Sequence, residues 1–219
     1  MKKHSFIVEI TIFLLIFIFF ALPPLFYPLN NDFNVTFSWI FPWHNLILCL
    51  FSVIIYILYN DDSFSFIKLL PVVFTLGLLF FCSLIFKAID VLLVKTESKI
   101  QVDLPQNFIE WLFCILGFLF SAFYEEVLYR FYLCESLIKF VDLKVSTKKS
   151  TVSTFRIKIV CEIVIALLFA FAHLYLGWLS VINALAAHII LRITYKKSKG
   201  IWAGFIAHFI YNIISLILL

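Results

Sequence analysis

Seven long apolar runs follow one another along the chain, at about 6–22, 43–59, 69–91, 107–133, 159–176, 178–194 and 201–219. Each approaches or exceeds the ~20 residues a helix needs to cross ~30 Å of hydrocarbon. None alternates every second residue as barrel strands do, and only helices and closed barrels satisfy their own backbone in lipid. The pattern predicts an all-α polytopic membrane protein with about seven transmembrane helices in one bundle. Pro71 falls in the first turn of the third span, where a missing N–H costs little. The N-terminal run begins like a signal peptide, with Lys2 and Lys3 before it. It is long for a signal core and is followed by no small-residue cleavage site, so it reads as a retained first helix.

Composition agrees with this reading. The chain has 219 residues, is 64% hydrophobic and 14% charged, includes 28 Phe and has a mean hydropathy of +1.09. A soluble domain carries about 45–50% apolar and about 25% charged residues. A water-soluble globule, a disordered chain, a disulfide scaffold, collagen and a nucleic-acid-binding domain are thereby excluded. The five cysteines, Cys49, Cys82, Cys114, Cys134 and Cys161, are scattered in or beside apolar runs with no CxxC pair. They read as small apolar fillers of helices.

Lys and Arg set the expected orientation. With the N-terminus cytoplasmic, alternation places Lys2, Lys3, Lys68, Lys139, Lys144, Lys148, Lys149, Arg156, Lys158, Arg192, Lys196, Lys197 and Lys199 inside, thirteen of the 17 Lys and Arg. The outer connection 23–42 contains neither residue. The chain is therefore expected in the cell membrane, N-terminus cytoplasmic and C-terminus outside. No internal repeat is evident, and one membrane domain over 1–219 is expected.

A charge at mid-bilayer costs at least about 2.5–3.5 kcal/mol, so each intramembrane ionisable residue needs a reason. The densest cluster is Phe123-Tyr124-Glu125-Glu126-Val127-Leu128-Tyr129-Arg130. Glu126 and Arg130 stand four apart with the acid N-terminal, the favourable order for a helical ion pair. Glu125 is offset by about 100° and has no such local partner, which leaves it free to exchange protons as a general base. Phe169 through His173 ends the fifth run with a histidine. In the last run His208 and Asn212 share a face, flanked by Ala203, Gly204 and Ala207, which permit close helix approach.

Single intramembrane histidines are more often packing residues hydrogen-bonded to a neighbouring helix. His44 and His188 are assigned there, and Glu9, Asp90, Glu110 and Glu162 are assigned as interfacial or structural. Two adjacent acids, two imidazoles and an amide on three apolar helices are harder to explain as interhelical glue. They favour a catalytic or metal site.

These residues, in order EExxxR, FxxxH and HxxxN, resemble the CAAX protease and bacteriocin-processing (CPBP, Abi) family of intramembrane proteases. The resemblance covers about 110 to 219, while 1–106 is only generically membrane-like; the basic loop around 141–158 is long for the family. It implies an endopeptidase acting on a lipidated or hydrophobic peptide within the bilayer. It also implies that Glu125, assisted by His173, activates water. His208 and Asn212 would stabilise the oxyanion, and Glu126 and Arg130 would support the site. Metal dependence is left open: no HExxH is present, but Glu125, His173 and His208 are a conceivable three-ligand set for a divalent ion such as zinc. A non-catalytic self-immunity or scaffold protein is the alternative, with a proton or ion transporter behind it. The transporter reading lacks an inverted repeat.

Depth strains this scheme. For Glu125 to meet His173, the fourth helix must continue to about Phe140, with its N-terminal part near Glu110 and Trp111 either interfacial or bent, the bend falling at Gly117. His208 lies only eight residues beyond Gly200, so the last helix must be shifted or tilted.

Overall fold

The computed structural model describes residues 6–26, 40–60, 69–93, 104–145 and 151–218. Lys2, Lys3, Lys68, Lys148, Lys149 and most of the 23–42 connection lie outside the described residues, as do the side chains of Asp90 and Lys144. All regular structure among the described residues is helical. Helix α1 (Phe6–Ile16) runs on through a π-turn at Phe17–Ala21 and a 3₁₀ turn at Pro23–Phe26. Helices α2 (Trp43–Tyr59) and α3 (Leu69–Leu93) follow. Helix α4 (Phe108–Glu125) passes through a π-helical segment, Glu126–Tyr132, into α5 (Leu133–Val145). Helices α6 (Thr151–Phe171), α7 (Trp178–Ser198) and α8 (Trp202–Leu218) complete the bundle.

Local chemistry explains several ends. Asn107 caps α4 by accepting from the Glu110 amide at 3.0 Å, while Glu110 accepts from the Gln106 amide at 2.7 Å and from Asn107 Nδ2 at 2.9 Å. This is a capping box, and it is the structural role of Glu110. Helix α6, the fifth expected span, stops at Phe171, short of the expected 176. A turn carrying His173 and a 3₁₀ turn at Leu174–Leu176 lead to Gly177, whose φ of 94° is open to glycine without strain. The fourth helix does continue past Phe140. Its expected bend at Gly117 is not found: α geometry runs through Gly117, and the irregularity begins at Glu126. Gly117 instead admits α2, since Asn45 Nδ2 donates to its carbonyl at 3.3 Å.

Among the described residues, four helices are long and apolar enough to cross a membrane: Phe6–Phe26, Leu69–Ile89, Phe108–Leu143 and Trp178–Ser198. The apolar α2 and α8 are shorter, and α6 carries Arg156, Lys158 and Glu162 near its start. Large apolar side chains cover the outside, among them Ile7, Phe19, Ile57, Leu70, Phe108 and Phe155. A soluble monomer does not expose apolar surface on this scale; lipid is its partner. Several charged groups are turned inward, Glu9, Glu126, Arg130 and Arg192 among them. Glu126 through Cys134 are all buried, so the π-segment is the axis of the molecule, packed by α2, α6 and α7. Thr75 on α3 and Thr194 on α7 are hydrogen-bonded at 2.6 Å within the bundle.

Candidate active site

The π-segment positions the site. A π-turn widens the helix by one residue and commonly occurs where function needs it. Here it begins at the second of the two adjacent acids. Glu126 and Arg130 are both fully buried, and Glu126 Oε1 lies 3.5 Å from Arg130 Nε, so the expected pair is present. The same oxygen lies 3.0 Å from His208 Nδ1, which makes Glu126 a direct partner of the α8 histidine as well as of the arginine. On the other side of that ring, His208 Nε2 is 3.8 Å from Glu125 Oε2. His208 is therefore held between the two carboxylates.

Helix α8 reaches this depth because it starts inside the bundle. Ile201 and Ala203 are buried at its first turn, and Trp202 packs edge-on against Tyr56 of α2 and lies by Phe123 of α4. A short distance along α8 then brings His208 to Glu126. Gly204 makes the approach possible, since a Cβ there would stand 2.8 Å from Glu126 Oε2.

Glu125 is less enclosed than its neighbour. Its Oε1 accepts from Ser121 Oγ at 2.9 Å, a local partner that the spacing argument missed, while Oε2 is buried without a protein hydrogen bond. Arg130 Nη1 approaches the Glu125 main-chain carbonyl at 3.4 Å. Phe169 of the FxxxH stretch lies flat under the Arg130 guanidinium, 3.9 Å from ring centroid to carbon, in cation–π contact. Its ring is also 4.7 Å from that of His173. His173 Nδ1 pairs with the Phe169 carbonyl at 2.9 Å, so Nε2 is the nitrogen available to the site, and His173 lies within electrostatic range of Glu125. Asn212 is half-buried one turn beyond His208 on α8.

Other expected structural residues prove to be ion-pair partners. Glu9 on α1 is buried against Lys139 of α5 at 2.8 Å. Glu162 receives Arg192 at 2.7 Å and Lys196 at 2.7 Å. Arg192, counted from sequence only as a cytoplasmic-side charge, also pairs with Glu135 at 2.8 Å and donates to the Arg130 carbonyl at 2.6 Å. The three-ligand metal set of Glu125, His173 and His208 is not formed. Among the described residues, no three His, Cys, Asp or Glu side chains are grouped to hold an ion. His208 Nδ1 and His173 Nδ1 each pair with a protein oxygen, which leaves the Nε2 atom of each ring facing the site. No step below is routed through a metal.

An all-helical membrane bundle with two buried carboxylates around one imidazole defines the class: a membrane protein with an acid–imidazole site inside its spans. Residues 106–214 match the Rce1-like family, type II CAAX prenyl endopeptidases, and span Glu125, Glu126, Arg130, His173, His208 and Asn212. The chain belongs to this peptidase family, with the match carried by its C-terminal half. No curated protein and no solved structure matches it.

Proposed function

We propose that the chain is an intramembrane endopeptidase that hydrolyses a peptide bond in a lipidated or hydrophobic peptide. The observation that carries this reading is the placement of His208 between Glu126 and Glu125, 3.0 and 3.8 Å away, inside an apolar bundle. Glue between helices needs one such pair; a second acid with an unengaged oxygen suits proton transfer. Glu125 Oε2 takes a proton from water as the oxygen attacks the scissile carbonyl. His208, held at Nδ1 by Glu126, turns Nε2 to the developing oxyanion as a donor, and the Asn212 amide adds a second donor. His173 Nε2 helps orient the water. The proton on Glu125 then passes to the leaving amine as the C–N bond breaks, which restores the carboxylate. Donors preorganised in a dry cavity each lower such barriers by about 3–4 kcal/mol.

We further infer an N-terminus in the cytoplasm and a C-terminus outside, from the distribution of Lys and Arg. The test of function is direct. Purified protein in liposomes is given a farnesylated CaaX peptide and an unlipidated hydrophobic peptide, and products are identified by mass spectrometry. Cleavage of either, with one oxygen-18 from labelled water in the new carboxyl group, is expected. No cleavage of a broad hydrophobic peptide set by folded protein would leave the scaffold reading standing.

A further inference from the structure

His188 is the buried group that this mechanism does not use. It sits on α7, is 1% exposed, and neither ring nitrogen has a hydrogen-bond partner. A buried imidazole with both nitrogens idle is expensive unless its surroundings supply a partner. The surroundings contain one. Arg130 Nε and Nη2 are also buried without hydrogen bonds. Both side chains border the same ring: the Arg130 guanidinium lies 3.9 Å above Phe169, and the His188 ring is 5.4 Å from it. His188 lies within electrostatic range of Arg130 and of Arg192. Arg192, one turn further along α7, already holds the Arg130 carbonyl at 2.6 Å.

We infer that His188 is a positioning residue for the site: as a neutral ring it accepts a hydrogen bond from one buried water that in turn accepts from the Arg130 guanidinium. Donors left over on one side chain and acceptors left over on the other, packed against a common phenylalanine, are matched by this assignment. Helix α7 then grips Arg130 twice, by its carbonyl through Arg192 and by its guanidinium through His188. The orientation of Arg130 fixes Glu126, and Glu126 fixes His208. The inference rests on the protease reading for its kinetic consequence, but its structural content does not.

The test pairs kinetics with stability. His188→Leu removes the acceptor, and His188→Gln restores an amide oxygen. On the farnesylated peptide, His188→Leu is expected to lower kcat about tenfold with KM within about twofold, and His188→Gln to recover to within about threefold of the parent. In detergent, thermal unfolding of His188→Leu, Arg130→Lys and the double variant gives a cycle independent of activity. Arg130→Lys keeps the cation but lacks the second guanidinium nitrogen. Losses in Tm that fail to add are expected. An unchanged kcat in His188→Leu, a His188→Gln as slow as His188→Leu, or additive Tm losses would each overturn the proposal. Should His188→Leu not fold, a folded His188→Gln at near-parental kcat supports it and a slow one overturns it. If the parent protein cleaves nothing, the protease reading fails and the Tm cycle alone decides for or against the His188–Arg130 contact.

Discussion

A methyl group added at Gly204 would stand 2.8 Å from Glu126 Oε2, inside van der Waals contact with a side chain that has no room to withdraw. Gly204→Ala is expected to cost about 1–3 kcal/mol, read as lowered thermal stability in detergent, and to slow cleavage because Glu126 orients His208. The two adjacent acids should part company under mutation. Glu126→Ala leaves the fully buried Arg130 without its counter-charge and should destabilise the protein by about 3–5 kcal/mol. Glu125→Gln keeps an oxygen to accept from Ser121 and should leave Tm almost unchanged. Equal Tm losses in the two variants would contradict this division. Because the donors do not assemble a three-ligand site, incubation with a strong chelator should leave the cleavage rate within about twofold, while loss of activity restored by zinc would show that a metal takes part.

Helical spacing made much of the site legible. EExxxR, FxxxH and HxxxN single out Glu125, His173, His208 and Asn212 as candidates, of which the structure brings His208 to Glu125 and Glu126, and the pairing of Glu126 with Arg130 follows from positions four apart. What the spacing could not show is the π-segment itself. A local widening at Glu126–Tyr132 leaves apolar periodicity almost unchanged in a segment that is buried all round, whereas Gly117 offers a visible but misleading signal for a bend. The direct contact of Glu126 with His208, the cation–π shelf of Phe169 and the role of Arg192 are tertiary facts with no one-helix signature. Charge counting places Arg192 only on the cytoplasmic side and does not show that it is buried and joins α5, α6 and α7. Arg192→Leu should therefore destabilise by about 3–5 kcal/mol, because it strips Glu162 of its buried cation and the Arg130 carbonyl of its donor. A loss below about 1 kcal/mol would mean that the network is dispensable.

At the scale of the molecule, apolar runs specified an all-helical bundle, and the outward apolar side chains agree with lipid as its surroundings. Depth was the difficulty at this scale. Helix α4 continues through the π-segment and α5 as far as Val145, and α8 follows buried Ile201, which brings His208 to Glu126. The charge asymmetry predicts sidedness: on a background free of the native cysteines, an impermeant maleimide applied to intact cells should label Gln106→Cys and spare Lys199→Cys. The reverse pattern would invert the topology. The central claim concerns chemistry at one carboxylate, and the most direct measurement compares Glu125→Gln with the parent in liposomes, cleavage rate and Tm together. The account predicts a fall in kcat of about 10²–10⁴ with Tm preserved; cleavage at the parental rate by a folded Glu125→Gln protein would contradict it.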